Sequence, residues 1–277
     1  MQATAAVTTN QREQNEQARV RALVRFNGLT FHSLAMASLL ETTVPLHVSR
    51  LAPVFETRPD VGSWLDQVWW AQRAELGRQL REYVETTWPE FDWNAAHQEF
   101  AGNYRPRSGL QRRDNNAALE ALGLCVTAAQ AALFYRAMAN SADEPALRAL
   151  ARKAARDHAD HFDYFRALFE RCRQNARVGF SATWRTVIGV SRCARDHDVS
   201  SAFRVLGENW GRTPIVPALS YPEYRQRLAR LIQRYAALGT VERLLFRPWL
   251  AQSSADLAQP APPVRPDRWM PAAAQPA

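Results

Sequence analysis

Between Ala117 and Met138 the chain reads AALEALGLCVTAAQAALFYRAM, apolar almost all round the helical wheel. A helix of this kind has no face to offer water and must be covered on several sides, as in the interior of a helical bundle. The pattern runs from about Asn115 to Asn140, and the preceding RDNN supplies N-cap residues. No convincing strand alternation and no Gly-rich phosphate loop is visible elsewhere, so the expected class is all-α. Three further long helices are expected. One runs from about Phe31 to Leu51, with Pro45 as the place for a bend. One runs from about Ser63 to Thr86, stopped before Pro89. One runs from about Glu144 to Cys172, opened by SADEP with an Asp or Ser cap and Pro145 in its first turn. Shorter helical segments are expected near 198–209 and 222–237.

The 277 residues are 47% apolar, enough for one large domain or two small ones. The expected organisation is a polar arm over 1–16, a helical domain over 17–250 and a disordered Pro/Ala-rich tail over 251–277. No run approaches 18 uninterrupted apolar residues, so no membrane span is expected. The N-terminus lacks the apolar stretch of a signal peptide, which makes the cytoplasm the default. Cys125, Cys172 and Cys193 have no paired spacing and read as buried thiols. The net charge of +8 is carried by arginine with a single lysine, Lys153. It reads as composition bias or as a surface for an acidic partner. No basic stripe interleaved with aromatics supports nucleic acid as that partner.

In the fourth segment Leu147, Ala151, Ala154, Phe165, Leu168 and Cys172 form one stripe at alternating spacings of three and four. Carried through its gap, the stripe includes His158 and His161. Both imidazoles therefore face the core, with Asp157 at the rim and Asp160 toward solvent. Buried imidazoles need partners, which either a metal ion or neighbouring hydrogen-bonding groups can supply.

The stretch DEPALRALARKAARDHADHFDYFRALFERC resembles the last bundle helix of ferritin-like diiron carboxylate proteins, where D-E-x-x-H carries two metal ligands. WWAQRAELGRQLREYV, from Trp69 to Val84, is similar to the second helix of the acyl-carrier-protein desaturases, with Trp69, Gly77, Leu80 and Tyr83 in register. LLETTVPLH resembles their first helix, and LSYPEYRQRLARLIQRY their late Tyr-rich helix. The resemblance covers 35–172 well and 221–235 loosely. It implies a ferritin-like four-helix bundle with additional C-terminal helices. It further implies an iron cofactor, an acyl chain or acyl carrier protein as partner, and a homodimer.

The departures fall on the ligands. A diiron bundle uses a Glu from two helices and a Glu-x-x-His from the other two. The corresponding positions here hold Thr42 (beside Glu41), Arg73 and Leu76, Thr127 or Ala128, and His158 with His161. A guanidinium neither ligates iron nor loses its proton, so a standard diiron site is not expected. Three readings stay open. A remodelled site could bind one metal, iron included, through His158 and His161 with a carboxylate such as Glu41, Glu75 or Asp157, and serve the oxygen chemistry of an oxidoreductase acting on an acyl chain. A metal-free enzyme could use His158 or His161 as a base. A non-catalytic relative could bind an acyl chain, a carrier protein or an active subunit, with Trp69, Trp70, Tyr83, Phe134, Tyr135, Phe162 and Phe165 lining a channel. His47 either faces the same interior or caps the surface. RDHDVS around His197 reads as a loop. YRPRSGLQRRD, residues 104–114, is the densest basic run and a candidate docking loop through Arg112 and Arg113. A haem-oxygenase-like bundle, with Asp157 and His161 four apart, is the alternative fold.

Overall fold

The structure is a computed structural model of the chain and describes residues 22–107, 116–174, 176, 178–210, 216 and 218–237. The arm 1–16, the tail 251–277 and the docking-loop residues Arg112 and Arg113 lie outside the described residues. Every element among the described residues is helical, as the periodicity requires.

The first expected helix is two. Helix α1 spans Gly28–Glu41 and α2 spans Val44–Leu51. The break precedes Pro45 because Thr42 and Thr43 turn their hydroxyls back onto the carbonyls of Leu39 and Leu40, each at 2.7 Å, and so close the helix themselves. Pro45 then sits in the first turn of α2, where no intrahelical N–H is lost. The second expected helix is longer: α3 (Pro59–Trp64) runs through a π turn (Leu65–Trp70) into α4 (Ala71–Thr87). The structure adds α5, Trp93–Asn103, capped by the Asp92 carboxylate on the Ala95 amide at 2.9 Å.

Helix α6, Ala117–Ser141, is the all-round apolar segment, capped by Asn116 at 2.9 Å from the Ala118 amide. It is the one helix among the described residues long and apolar enough to cross a membrane, yet 67% of its apolar window is buried against its neighbours. That burial is what an interior bundle helix needs. Helix α7, Pro145–Arg173, buries Leu147, Ala151, Ala154, His158, His161, Phe165, Leu168 and Cys172 on one face, as expected. Its cap is Glu144 rather than an Asp or Ser; the carboxylate accepts from the Leu147 amide at 2.6 Å and from the Tyr83 hydroxyl at 3.3 Å. Helix α8, Phe180–Cys193, was not expected. It continues through a second π turn, Ala194–Val199, into α9, Ser200–Asn209. His197 is therefore helical, and the loop reading of RDHDVS is corrected: the chain runs through it as one rod. Helix α10, Tyr221–Tyr235, starts on a full capping box between Ser220 and Glu223.

Helices α6 and α7 pack along their lengths, α1 lies on α4, and α8 and α10 also pack against α6. The core divides in two. One apolar cluster is centred on Phe31, Leu76, Leu80, Trp88 and Ala154; a second gathers Val44, Leu51, Trp69, Ala128 and Phe165. Helices α6 and α7 each pass from one cluster to the other, whereas the apolar residues of α1 and α4 belong to the first, and α2 and the first π turn carry the chain into the second. Polar side chains lie where the clusters meet.

Candidate functional site

Those polar positions meet. Glu41 ends α1, Arg73 lies one turn after Trp69 on the buried stripe of α4, Tyr135 faces inward from α6, and His158 from α7. The Glu41 carboxylate, 5% exposed, accepts from Arg73 Nε on Oε2 and from the Tyr135 hydroxyl at 3.2 Å on Oε1. His158 Nε2 stands 3.7 Å from Oε1, too far for a hydrogen bond. Its ring stacks on Tyr135, with centroids 5.4 Å apart and planes 14° from parallel. His161 Nε2 donates to the Gln72 side-chain oxygen at 2.7 Å, leaving the lone pair on Nδ1. Arg73 also lies over the Trp69 ring at 5.7 Å. Close approach of α1 and α4 makes the pairing possible, because Gly77 packs against the Glu41 side chain where a Cβ would come within 3.0 Å of the Glu41 Cβ.

Burial by itself pushes the Glu41 carboxyl up, but the Arg73 charge overrides it, helped by the groups around it, and holds the carboxyl at about 2. His158 is pushed down by burial and by Arg73, against the pull of Glu41. Burial, His158 and Arg73 hold His161 down to about 3. Around neutrality the layer therefore consists of one ion pair, two neutral imidazoles and a phenol.

Glu41, His158 and His161 come together as the sequence suggested. Glu75 does not join them. It turns outward with its side chain 44% exposed, bonded to Arg78 at 2.8 Å and to Gln79 at 2.6 Å, since its direction on α4 is about 100° from that of Leu76. Asp157 stays at the rim, paired with Lys153 at 2.7 Å. Among the described residues no group of three or more His, Cys, Asp or Glu side chains could hold a metal ion. His158 Nε2 and His161 Nδ1 are buried without partners, but the carboxylate beside them is already neutralised by Arg73. The residues do not fit the diiron centre that the resemblance implies.

Against this layer lies a cavity of about 230 Å³. Glu41, Arg73 and Tyr135 form part of its wall, whereas His158 and His161 do not line it. On α6 its lining runs from Glu120 to Tyr135, about 22 Å of helix at 1.5 Å per residue, so the cavity is a slot. Met36, Leu40, Phe134, Leu228 and Ile232 make its apolar part. His47, Arg50, Arg107, Glu120 and Asp198 make its polar part. Of the aromatics expected along a channel, Trp69, Phe134 and Tyr135 line it; Trp70 is exposed, and Tyr83 and Phe165 belong to the two cores.

Three residues of the polar part were not singled out from sequence. Arg50 pairs with Glu120 at 2.8 Å. Asp198 accepts from the Tyr104 hydroxyl at 2.9 Å and is pushed up to about 6 by burial. Only the Asp198 position carried a sequence signal, the Asp-His-Asp run. His47 does face the interior, 3.4 Å from the Tyr104 hydroxyl, and burial with the charges of Arg50 and Arg73 holds it down to about 4. Comparison of the chain with protein-family models, with curated proteins and with solved structures returns no match.

Proposed function

We propose that this chain is a metal-independent binding protein for a slender amphipathic molecule, built on the ferritin-like bundle of the acyl-carrier-protein desaturase type that its sequence resembles. The observation that carries the reading is the slot along α6, apolar over most of its length and bounded by fixed ion pairs. Its volume of about 230 Å³ exceeds the ~150 Å³ of a benzene-binding cavity and falls short of the ~300 Å³ where drug-sized pockets begin. At ~30 Å³ per water-sized unit it holds about eight heavy atoms. A long acyl chain is too large to be enclosed; a short one, or the end of a longer one, fits.

The four-helix convergence on Glu41 supports the ferritin-like reading, since that is where such a bundle carries its ligands. The guanidinium of Arg73 occupies the position of a cation there, which supports a binding role over oxygen chemistry. The exposed Arg107 at the slot is the point where an acidic carrier protein would meet it.

The test is calorimetric titration with eight-carbon amphipaths, before and after dialysis against EDTA, on the wild type and on Thr127→Trp. Thr127 is exposed on the slot wall, so the indole blocks entry without entering a packed core. Binding that withstands EDTA and is lost in Thr127→Trp is expected. Absence of binding, or binding that requires added iron, refutes the reading.

A second reading, a metal-free enzyme, is favoured by Asp198. Its carboxyl lines the slot with a pKa near the operating range of a general base. Turnover of a bound ligand that disappears in Asp198→Asn, with binding retained, would establish it. His158 and His161 do not serve that role, because neither reaches the slot.

A further inference from the structure

The charges of the slot are not symmetrical toward a ligand. Two of its carboxylates are already engaged by cations, Glu41 by Arg73 and Glu120 by Arg50. The third, Asp198, is held by the Tyr104 hydroxyl at 2.9 Å. A ligand ammonium would find Asp198 as the one slot carboxylate without a cation partner among the described residues. The cations are less fully spent. A guanidinium has five N–H donors. Arg50 uses one on Glu120, and its side chain is 26% exposed where it lines the slot. A hydrogen bond from a charged donor of this kind is among the stronger ones available to a ligand. Arg107 stands exposed on the same polar wall. The field there is positive enough that Arg50 and Arg73 both add to the depression of His47.

Position adds direction. Arg50 pairs with Glu120 in the first turn of α6, whereas Phe134 lies fourteen residues on, about 21 Å further along the helix. The Arg50–Glu120 pair and Phe134 thus lie at opposite ends of one slot, and the charge beside the Phe134 end, Glu41, is closed off by Arg73 and Tyr135.

We propose that the slot is a monocarboxylate site: the carboxylate sits at the Arg50–Arg107 end and accepts from Arg50, and an apolar body of about eight heavy atoms runs toward Phe134, Leu228 and Ile232. This rests on the ligand-binding reading above and names the class of ligand.

The experiment compares octanoate, octan-1-ol and octylamine by calorimetric titration at pH 7, all below their micellar concentrations. The protein is the full chain, as wild type, as Thr127→Trp and as the double variant Arg50→Met/Glu120→Met. The double variant removes the guanidinium without stranding a buried carboxylate, and circular dichroism checks its fold. Octanoate should bind at least about tenfold more tightly than octanol, as expected for a hydrogen bond to a charged group, and octylamine should bind more weakly than octanol. The double variant should lose that preference while keeping octanol, and Thr127→Trp should bind none of the three. Equal binding of octanol and octanoate, or tighter binding of octylamine, overturns the carboxylate assignment and leaves the ligand-binding reading standing. If the double variant does not fold, the ligand preference of the wild type and the block in Thr127→Trp still decide. Failure of all three ligands to bind the wild type removes both. Octanoate binding unchanged in Thr127→Trp places it outside the slot and overturns the assignment.

Discussion

Replacing Arg73 by methionine tests the polar layer most directly. The Glu41 side chain is 5% exposed and that of Arg73 14% exposed, so the substitution leaves a buried carboxylate with only a phenol and a neutral imidazole beside it. The carboxyl stands at about 2 in the folded chain against an ordinary value of 4.5. At 1.36 kcal/mol per pKa unit, its ionisation contributes about 3 kcal/mol to stability near neutrality. Removing one partner of a buried pair costs about 3–5 kcal/mol, a large share of the ~5–15 kcal/mol typical of a domain. Arg73→Met should therefore lower the urea-unfolding free energy at pH 7 by about 3–5 kcal/mol. Arg73→Met/Glu41→Met should recover most of that loss, because neither charge then has to be desolvated. The sign with pH is fixed by the depressed carboxyl. Its contribution is complete above about 4.5 and fades as pH falls toward 2; in Arg73→Met burial raises the same carboxyl, so the gap between the two proteins should begin to close above 4.5 and go on closing toward 2. A single variant within 1 kcal/mol of wild type, or a double variant as unstable as the single, would refute the reasoning.

Three further outcomes are expected. Gly77→Ala should destabilise by up to about 2 kcal/mol, since overpacking against the Glu41 side chain (~1–3 kcal/mol) outweighs the helical preference of alanine (~1 kcal/mol); Gly207→Ala, with nothing within 4 Å of the added Cβ, should stabilise by ~0.5–1 kcal/mol, both read from denaturation midpoints. Asp198 holds its proton more firmly folded, at about 6, than unfolded, at 3.8, so stability should fall as pH rises between those values. Asp198→Asn should flatten that slope and add about 1–3 kcal/mol at pH 7. Glu75→Ala should leave the unfolding midpoint and all ligand binding unchanged, because its partners Arg78 and Gln79 lie on its own helix at the surface.

The helices that periodicity revealed are those whose buried stripe runs many turns. Helix α7 is the clearest: six apolar positions from Leu147 to Cys172 predicted its buried face, and with it the burial of both histidines. Helix α5 was missed although Asp92 before Trp93, Ala96 and Phe100 is a cap followed by a short stripe; three turns gave too few repeats to stand out. The π turns at Leu65–Trp70 and Ala194–Val199 have no residue signature, because packing against other helices selects them. In the site, Glu41 was legible as a carboxylate near the histidines, and Arg73 as an obstacle to metal. Their union was not, since it needs two helices brought together at Gly77. The slot was invisible for a related reason: it is a gap among residues of six helical segments, none of which records it alone.

The cation that balances Glu41 is part of the same polypeptide. Its charge is in place once α1 and α4 come together, with no separate delivery step. The counter-charge cannot be chelated, exchanged for another ion or oxidised to a different valence. Neutralising this one carboxylate therefore makes no demand on the ions of the surroundings.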